Sequence, residues 1–157
     1  MRAMSTAYKV ALNRALRQIA KTQTVNVLYH EHGRGIMEQL KQLTENQRLR
    51  ATADELIGMC GFHADLLGTQ YLVDAVILSC ARPNGRVGDI YAIVAQLHNA
   101  TPKTVMRNIN YSISQARDLD KQLSAIVGTE IFGNELKNGR VIAHLGRSMS
   151  SYLNSGR

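Results

Sequence analysis

The sequence has no tryptophan, and proline and cysteine occur only twice each, at Pro83, Pro102, Cys60 and Cys80. So few prolines leave long stretches in which helices can run unbroken, because proline removes a backbone donor and clashes with the preceding turn. Two cysteines cannot make a disulfide framework. Both stand in apolar context, Ile57-Gly58-Met59-Cys60 and Ile77-Leu78-Ser79-Cys80, and are expected as free buried thiols. Long apolar runs are missing as well. Nothing approaches the roughly 18 consecutive apolar residues of a membrane span. Met1 to Ala20 lacks the unbroken apolar stretch of a secretion signal. A soluble cytoplasmic protein without membrane contact is expected.

Acid is scarce in two places. No aspartate precedes Asp54, and no acidic residue falls between Asp89 and Asp118. The 157 residues are 45% hydrophobic, enough for one domain with a real core. The net charge is +7 and unevenly spread. Residues 1–53 hold nine Lys/Arg and three Glu, a net of +6; residues 54–157 hold ten and nine, a net of +1. A polyanionic partner accounts for that excess, and so does ordinary solubility.

Apolar residues recur at helical spacing through most of the chain. Residues 5–20 place Tyr8, Leu12, Ala15, Leu16 and Ile19 on one face. Residues 24–29 suit either a strand or more helix, and Gly33-Arg34-Gly35 reads as a break. Residues 36–50 carry a thin apolar stripe. A helix is expected to start near Thr52, with Asp54 and Glu55 in its first turn, and to stop at Gly61. Residues 64–80 are the most apolar and are expected as the central core helix. Arg82-Pro83-Asn84-Gly85-Arg86 is a turn. Helices at about 88–98 and 102–118 follow, then a short one at 119–127, a loop holding Ile131-Phe132-Gly133, and a last helix at about 139–153 that Asn138 would cap. The fold class is all-α.

The run from Gly88 to Tyr111 has the parts of a helix-turn-helix. Ile90, Val94 and Leu97 form a buried face on the first helix, and Ala95 is small enough for a second helix to cross close by. Asn99 tolerates the left-handed conformation of a tight turn. Thr101 can cap the next helix, and Pro102 suits its first position. Val105, Ile109 and Ile113 then face inward. Lys103, Thr104, Arg107, Asn110 and Tyr111 project outward, as residues that enter a major groove do. Arg107 matches guanine and Asn110 matches adenine; Lys103 and Thr104 suit phosphate or base edges. With Thr101 and Arg117 these are the candidate DNA-binding residues. A face without carboxylates is what phosphates require. On spacing alone, an ordinary antiparallel helix pair with a solvated face fits as well.

Residues from about Asp54 to Met149 resemble the C-terminal DNA-binding effector domain of the master sporulation response regulator, the sporulation initiation factor A family. The resemblance is carried by Glu55-Leu56-Ile57-Gly58-Met59-Cys60-Gly61-Phe62-His63-Ala64 and by Gly68-Thr69-Gln70-Tyr71-Leu72-Val73-Asp74-Ala75-Val76. Ile90-Tyr91, Ala95, Asn99-Ala100-Thr101, Val105, Arg107, Ile109 and Ala143 add to it. It implies an all-helical domain that binds promoter sites, often as tandem dimers, and contacts RNA polymerase. It also implies that Arg107 reads a base and that Leu119 to Gly128 lies near polymerase. The chain departs from the family where Thr104 and Asn110 replace basic residues, where Tyr111 replaces a histidine, and in a shorter loop before residue 90. Residues 1–53 are too short for the family's receiver domain, so control by phosphoryl transfer within this chain is not expected.

No catalytic set can be assembled. Cys60 and Cys80 lie on apolar faces, where a thiolate is disfavoured. His30-Glu31-His32 lacks a third ligand, with His63, His98 and His144 scattered; no metal or cofactor is expected. His98 is expected to pack at the turn of the motif. Gly33-Arg34-Gly35 and Gly85-Arg86 are too short to cradle phosphate. The chain therefore reads as a basic N-terminal helical arm, 1–53, and a helix-turn-helix effector domain, 54–157. The arm would serve dimerisation or phosphate contact; membrane association is weakened by its lack of Trp and Phe. The expected function is sequence-specific binding of double-stranded DNA as a homodimeric transcription regulator rather than an enzyme. The alternative is a protein-interaction module, an antagonist that heterodimerises with a related regulator and has no operator of its own.

Overall fold

A computed structural model describes residues 31–82, 85–129, 131 and 137–154. The expected helix at 5–20, the segment 24–29, Pro83-Asn84 and Phe132-Gly133 lie outside the described residues, as do the side chains of residues 31–36. Seven helices are described: α1 (Glu31–Glu45), α2 (Gln47–Met59), α3 (Leu67–Ala81), α4 (Val87–Leu97), α5 (Pro102–Gln115), α6 (Leu119–Val127) and α7 (Asn138–Asn154). No strand occurs among the described residues, so the fold is all-α.

Every residue of α3 from Tyr71 to Ala81 is buried. A helix apolar on all sides must be covered on all sides, and α3 packs against α1, α2, α4, α5 and α7. Two glycines permit close approaches between α3 and its neighbours. A Cβ on Gly68 would stand 1.8 Å from the Asn108 carbonyl oxygen of α5, and one on Gly146 of α7 would stand 2.5 Å from Ser79 Oγ. A hydrogen bond of 3.3 Å from the Thr69 hydroxyl to the Ser112 hydroxyl closes the α3–α5 seam.

Two helix boundaries differ from the sequence reading. Gly33-Arg34-Gly35 does not break the chain; α1 runs through it. Glycine costs a helix about 1 kcal/mol, and burial of Leu40 and Leu43 on this helix works against that cost. The next helix starts at Gln47, not near Thr52. Asn46 Oδ1 accepts from the backbone N–H of Arg48 at 3.0 Å and of Leu49 at 3.3 Å, so it is the cap. Thr52 lies inside α2, its hydroxyl donating to the Arg48 carbonyl at 3.0 Å. Asn138 also departs from expectation. It is the first residue of α7, and its amide is tied across to α5 instead of capping.

Cys60 and Cys80 are buried and free. Burial pushes both thiols from 9.0 up to about 11. The folded chain therefore holds these protons longer than the unfolded chain. Their contribution to stability is complete below the unfolded value and is lost as pH rises through the folded one. Unfolding free energy measured in urea is expected to fall between about pH 9 and 11. At about pH 8 both thiols should react with a disulfide reagent far more slowly in the native protein than in denaturant. Equal rates would contradict their burial.

The α3–α5 contact gives a second test. Gly68→Ala should lower stability by about 1–3 kcal/mol through overpacking. Gly88→Ala, where an added Cβ meets nothing within 4 Å, should leave the melting temperature unchanged or slightly raised.

Candidate nucleic-acid interface

The α4–α5 connection is built by backbone hydrogen bonds. Asn99 adopts φ 53°, in the left-handed region. The Ala100 N–H donates to the Ala95 carbonyl at 2.8 Å, and the Asn99 N–H to the Gln96 carbonyl at 3.4 Å. This pair is the Schellman closure of a helix C-terminus. Helix α5 then starts at once. Thr101 Oγ1 accepts from the Thr104 N–H at 3.2 Å, with Pro102 at the first helical position. The turn is thus the tight, Asn-centred one expected, and His98 sits in it as the last cap of α4.

The inner faces also match the sequence pattern. Ile90, Val94 and Ala95 of α4 are buried, and Leu97 is partly so. Val105 and Ile109 of α5 are fully buried, while Ile113 is partly covered. Tyr91 and Ile93 join them. Burial raises the pKa of the Tyr91 hydroxyl, and the Asn138 side chain opposes that rise.

The opposite side of α5 faces out. Lys103, Arg107, Asn110 and Ser114 are exposed, and at 100° per residue they fall within an arc of about 60°. Tyr111, 55% exposed, flanks this stripe on one side, and Met106, 37% exposed, on the other. Thr104 is exposed next to Tyr111, but its hydroxyl accepts from that of Thr101 at 2.9 Å, so both threonines are engaged in the cap. The fold therefore gathers Lys103, Arg107, Asn110 and Tyr111 on one accessible surface.

Arg117 is exposed but lies beyond the end of α5. Helix α5 ends at Gln115 and does not continue to 118. Ala116 is extended, and Asp118 is left-handed at φ 51°. The Arg117 N–H donates to the Gly61 carbonyl at 3.2 Å. A Cβ on Gly61 would stand 2.2 Å from the Arg117 carbonyl oxygen, so this crossing fits only glycine. No proline or glycine marks the end of α5 in the sequence; a distant segment sets it.

Met106, exposed beside the stripe, is legible from its spacing, three residues after Lys103. Lys137 is exposed as well, and only a tertiary bond links its segment to α5: the amide of its neighbour Asn138 donates to the Met106 carbonyl at 3.1 Å. Among the described residues no three His, Cys, Asp or Glu side chains form a metal-binding group, and no helix is long and apolar enough to cross a membrane.

A short helix pair joined by a tight turn, with a capped, proline-initiated second helix, has the form of a helix-turn-helix in an all-α domain. The family model for the C-terminal domain of sporulation initiation factor Spo0A matches residues 53–149, and the chain belongs to that family of DNA-binding effector domains. Neither a comparison with curated proteins nor one with solved structures returned a match.

Thr101→Ala should remove the cap of α5 and cost about 1 kcal/mol, whereas Thr101→Ser should retain most of it. Thermal melting of the three proteins checks this. Equal midpoints would show that the cap does not hold the start of the helix.

Proposed function

We propose that this chain is a sequence-specific regulator of transcription whose helix α5 enters the major groove of double-stranded DNA. The observation that carries the reading is the exposed stripe Lys103–Arg107–Asn110, set on a helix whose opposite side buries Val105, Ile109 and Ser112. Arg107 presents a planar fork suited to a guanine edge, and Asn110 pairs donor and acceptor suited to adenine. Lys103, in the first turn, suits a phosphate. Tyr111 and Met106 add apolar surface at the flanks, suited to thymine methyl groups. Thr101 and Thr104 cap the helix and can also reach the backbone. Arg117, in the α5–α6 connection, is assigned to flanking phosphate only.

In this reading residues 1–53 form the arm and residues 54–157 the effector, acting in the cytoplasm as a homodimer, with α6 turned toward RNA polymerase. Catalysis has no part in it. A second reading is an interaction module that pairs with a related effector domain. What favours it is a groove of about 650 Å³ between α2, α6 and α7, with Met59 and Tyr152 among its lining residues.

Selection of bound duplexes from a random pool, followed by sequencing, separates the two. Enrichment of a short motif supports the regulator; salt-sensitive binding without enrichment supports the module. On the enriched duplex, Arg107→Ala should cost about 1–3 kcal/mol and relax preference at one base pair. Lys103→Ala should weaken all duplexes evenly and reduce the salt slope by about 1. Arg107→Ala with unaltered affinity for the enriched duplex contradicts the assignment.

A further inference from the structure

Asp74 is the one charged residue of α3 and is only 2% exposed. Both of its oxygens are engaged. Oδ1 accepts from Arg50 Nη1 of α2 at 2.6 Å, and Oδ2 meets Nε2 of His98. Arg50 Nη1 also donates to the Thr44 carbonyl in the last turn of α1 at 2.9 Å. The His98 ring stands edge-on to Tyr71 of α3, with centroids 5.1 Å apart and planes at 64°. One buried carboxylate thus joins three places: the α1–α2 junction, the middle of the core helix, and the residue just before the left-handed turn.

A carboxylate in such surroundings is costly unless its partners are in place. An apolar residue of similar size would avoid that cost. The bridge differs from an apolar contact in that each carboxylate oxygen meets a partner from a different element, Arg50 of α2 and His98 at the end of α4. Helix α5 is held to α3 at its far half by the Thr69–Ser112 hydrogen bond. At its near end, nothing among the described polar contacts ties the turn to α3 except His98 on Asp74.

We propose that Asp74, acting through His98 and Arg50, is a positioning residue for DNA reading. It fixes the angle at which α5 leaves the turn, and it couples that angle to the junction between α1 and α2. None of the three needs to touch DNA. The inference rests on the reading of α5 as the recognition helix. Arg50 precedes the family-matched stretch, which begins at residue 53, yet lies on the same helix α2, so the coupling reaches the α1–α2 junction outside that stretch.

The test compares affinity for the selected duplex with affinity for a random duplex, in Asp74→Asn, His98→Gln, Arg50→Met and the His98→Gln/Arg50→Met double variant. Melting and circular dichroism are followed in parallel. Loss of folded protein alone scales both affinities together and leaves their ratio unchanged. A positioning role lowers the ratio, by on the order of tenfold for Asp74→Asn. It also makes the double variant no worse than the poorer single one, because both changes act through one carboxylate. If Asp74→Asn does not fold, the two partners, each only partly buried, carry the test. Unchanged ratios in both, or additive losses in the double variant, overturn the proposal. A wild-type protein that prefers no duplex, with Arg107→Ala indistinguishable from it, overturns the DNA reading itself and this inference with it.

Discussion

The left-handed turn at Asn99 governs the direction of everything that follows it. One residue at φ 53° lets the Ala100 N–H return to the Ala95 carbonyl, which ends α4 and turns the chain sharply. Thr101 and Pro102 restart the helix immediately, leaving no slack between the two axes. Because the inner faces of both helices are buried in one core, fixing this turn also fixes which side chains of α5 meet solvent. The exposed stripe is therefore a consequence of backbone geometry and packing, not of its own interactions.

Electrostatics then decides what such a stripe can meet. From Ile90 to Arg117 the chain carries no carboxylate, so nothing on α5 repels a phosphate. Asp74, the acidic residue that contacts the turn, is buried, ion-paired with Arg50 and hydrogen-bonded to His98. Its burial leaves no exposed carboxylate at this position, and its contacts link the residue before the turn to the core helix. The family match over residues 53–149 agrees with this arrangement, since its members are DNA-binding effector domains.

The sequence made the helix-turn-helix legible because its determinants are local. Asn99, Thr101 and Pro102 act within a few residues of themselves, and the four-residue spacing of Val105 and Ile109 reports their burial directly. The central helix was legible for the same reason: a run apolar on every side, and too short to span a membrane, belongs at the centre of a core. Boundaries set by distant contacts were not legible. The end of α5 depends on Gly61, far away in sequence, and α1 persists through Gly33 and Gly35 in spite of their propensity. The tie from Asn138 to Met106 gives no local signal at all. Likewise, Asp74 within an apolar helix shows that a partner must exist, but not that it is His98.

DNA is expected to meet the outward face of α5. Backbone amide shifts recorded by NMR during titration with the selected duplex address this residue by residue. The largest changes are expected at Lys103, Arg107, Asn110 and Tyr111, with smaller ones at Met106 and Lys137. Changes concentrated instead around Met59, Val127 and Tyr152, with α5 unaffected, would contradict it.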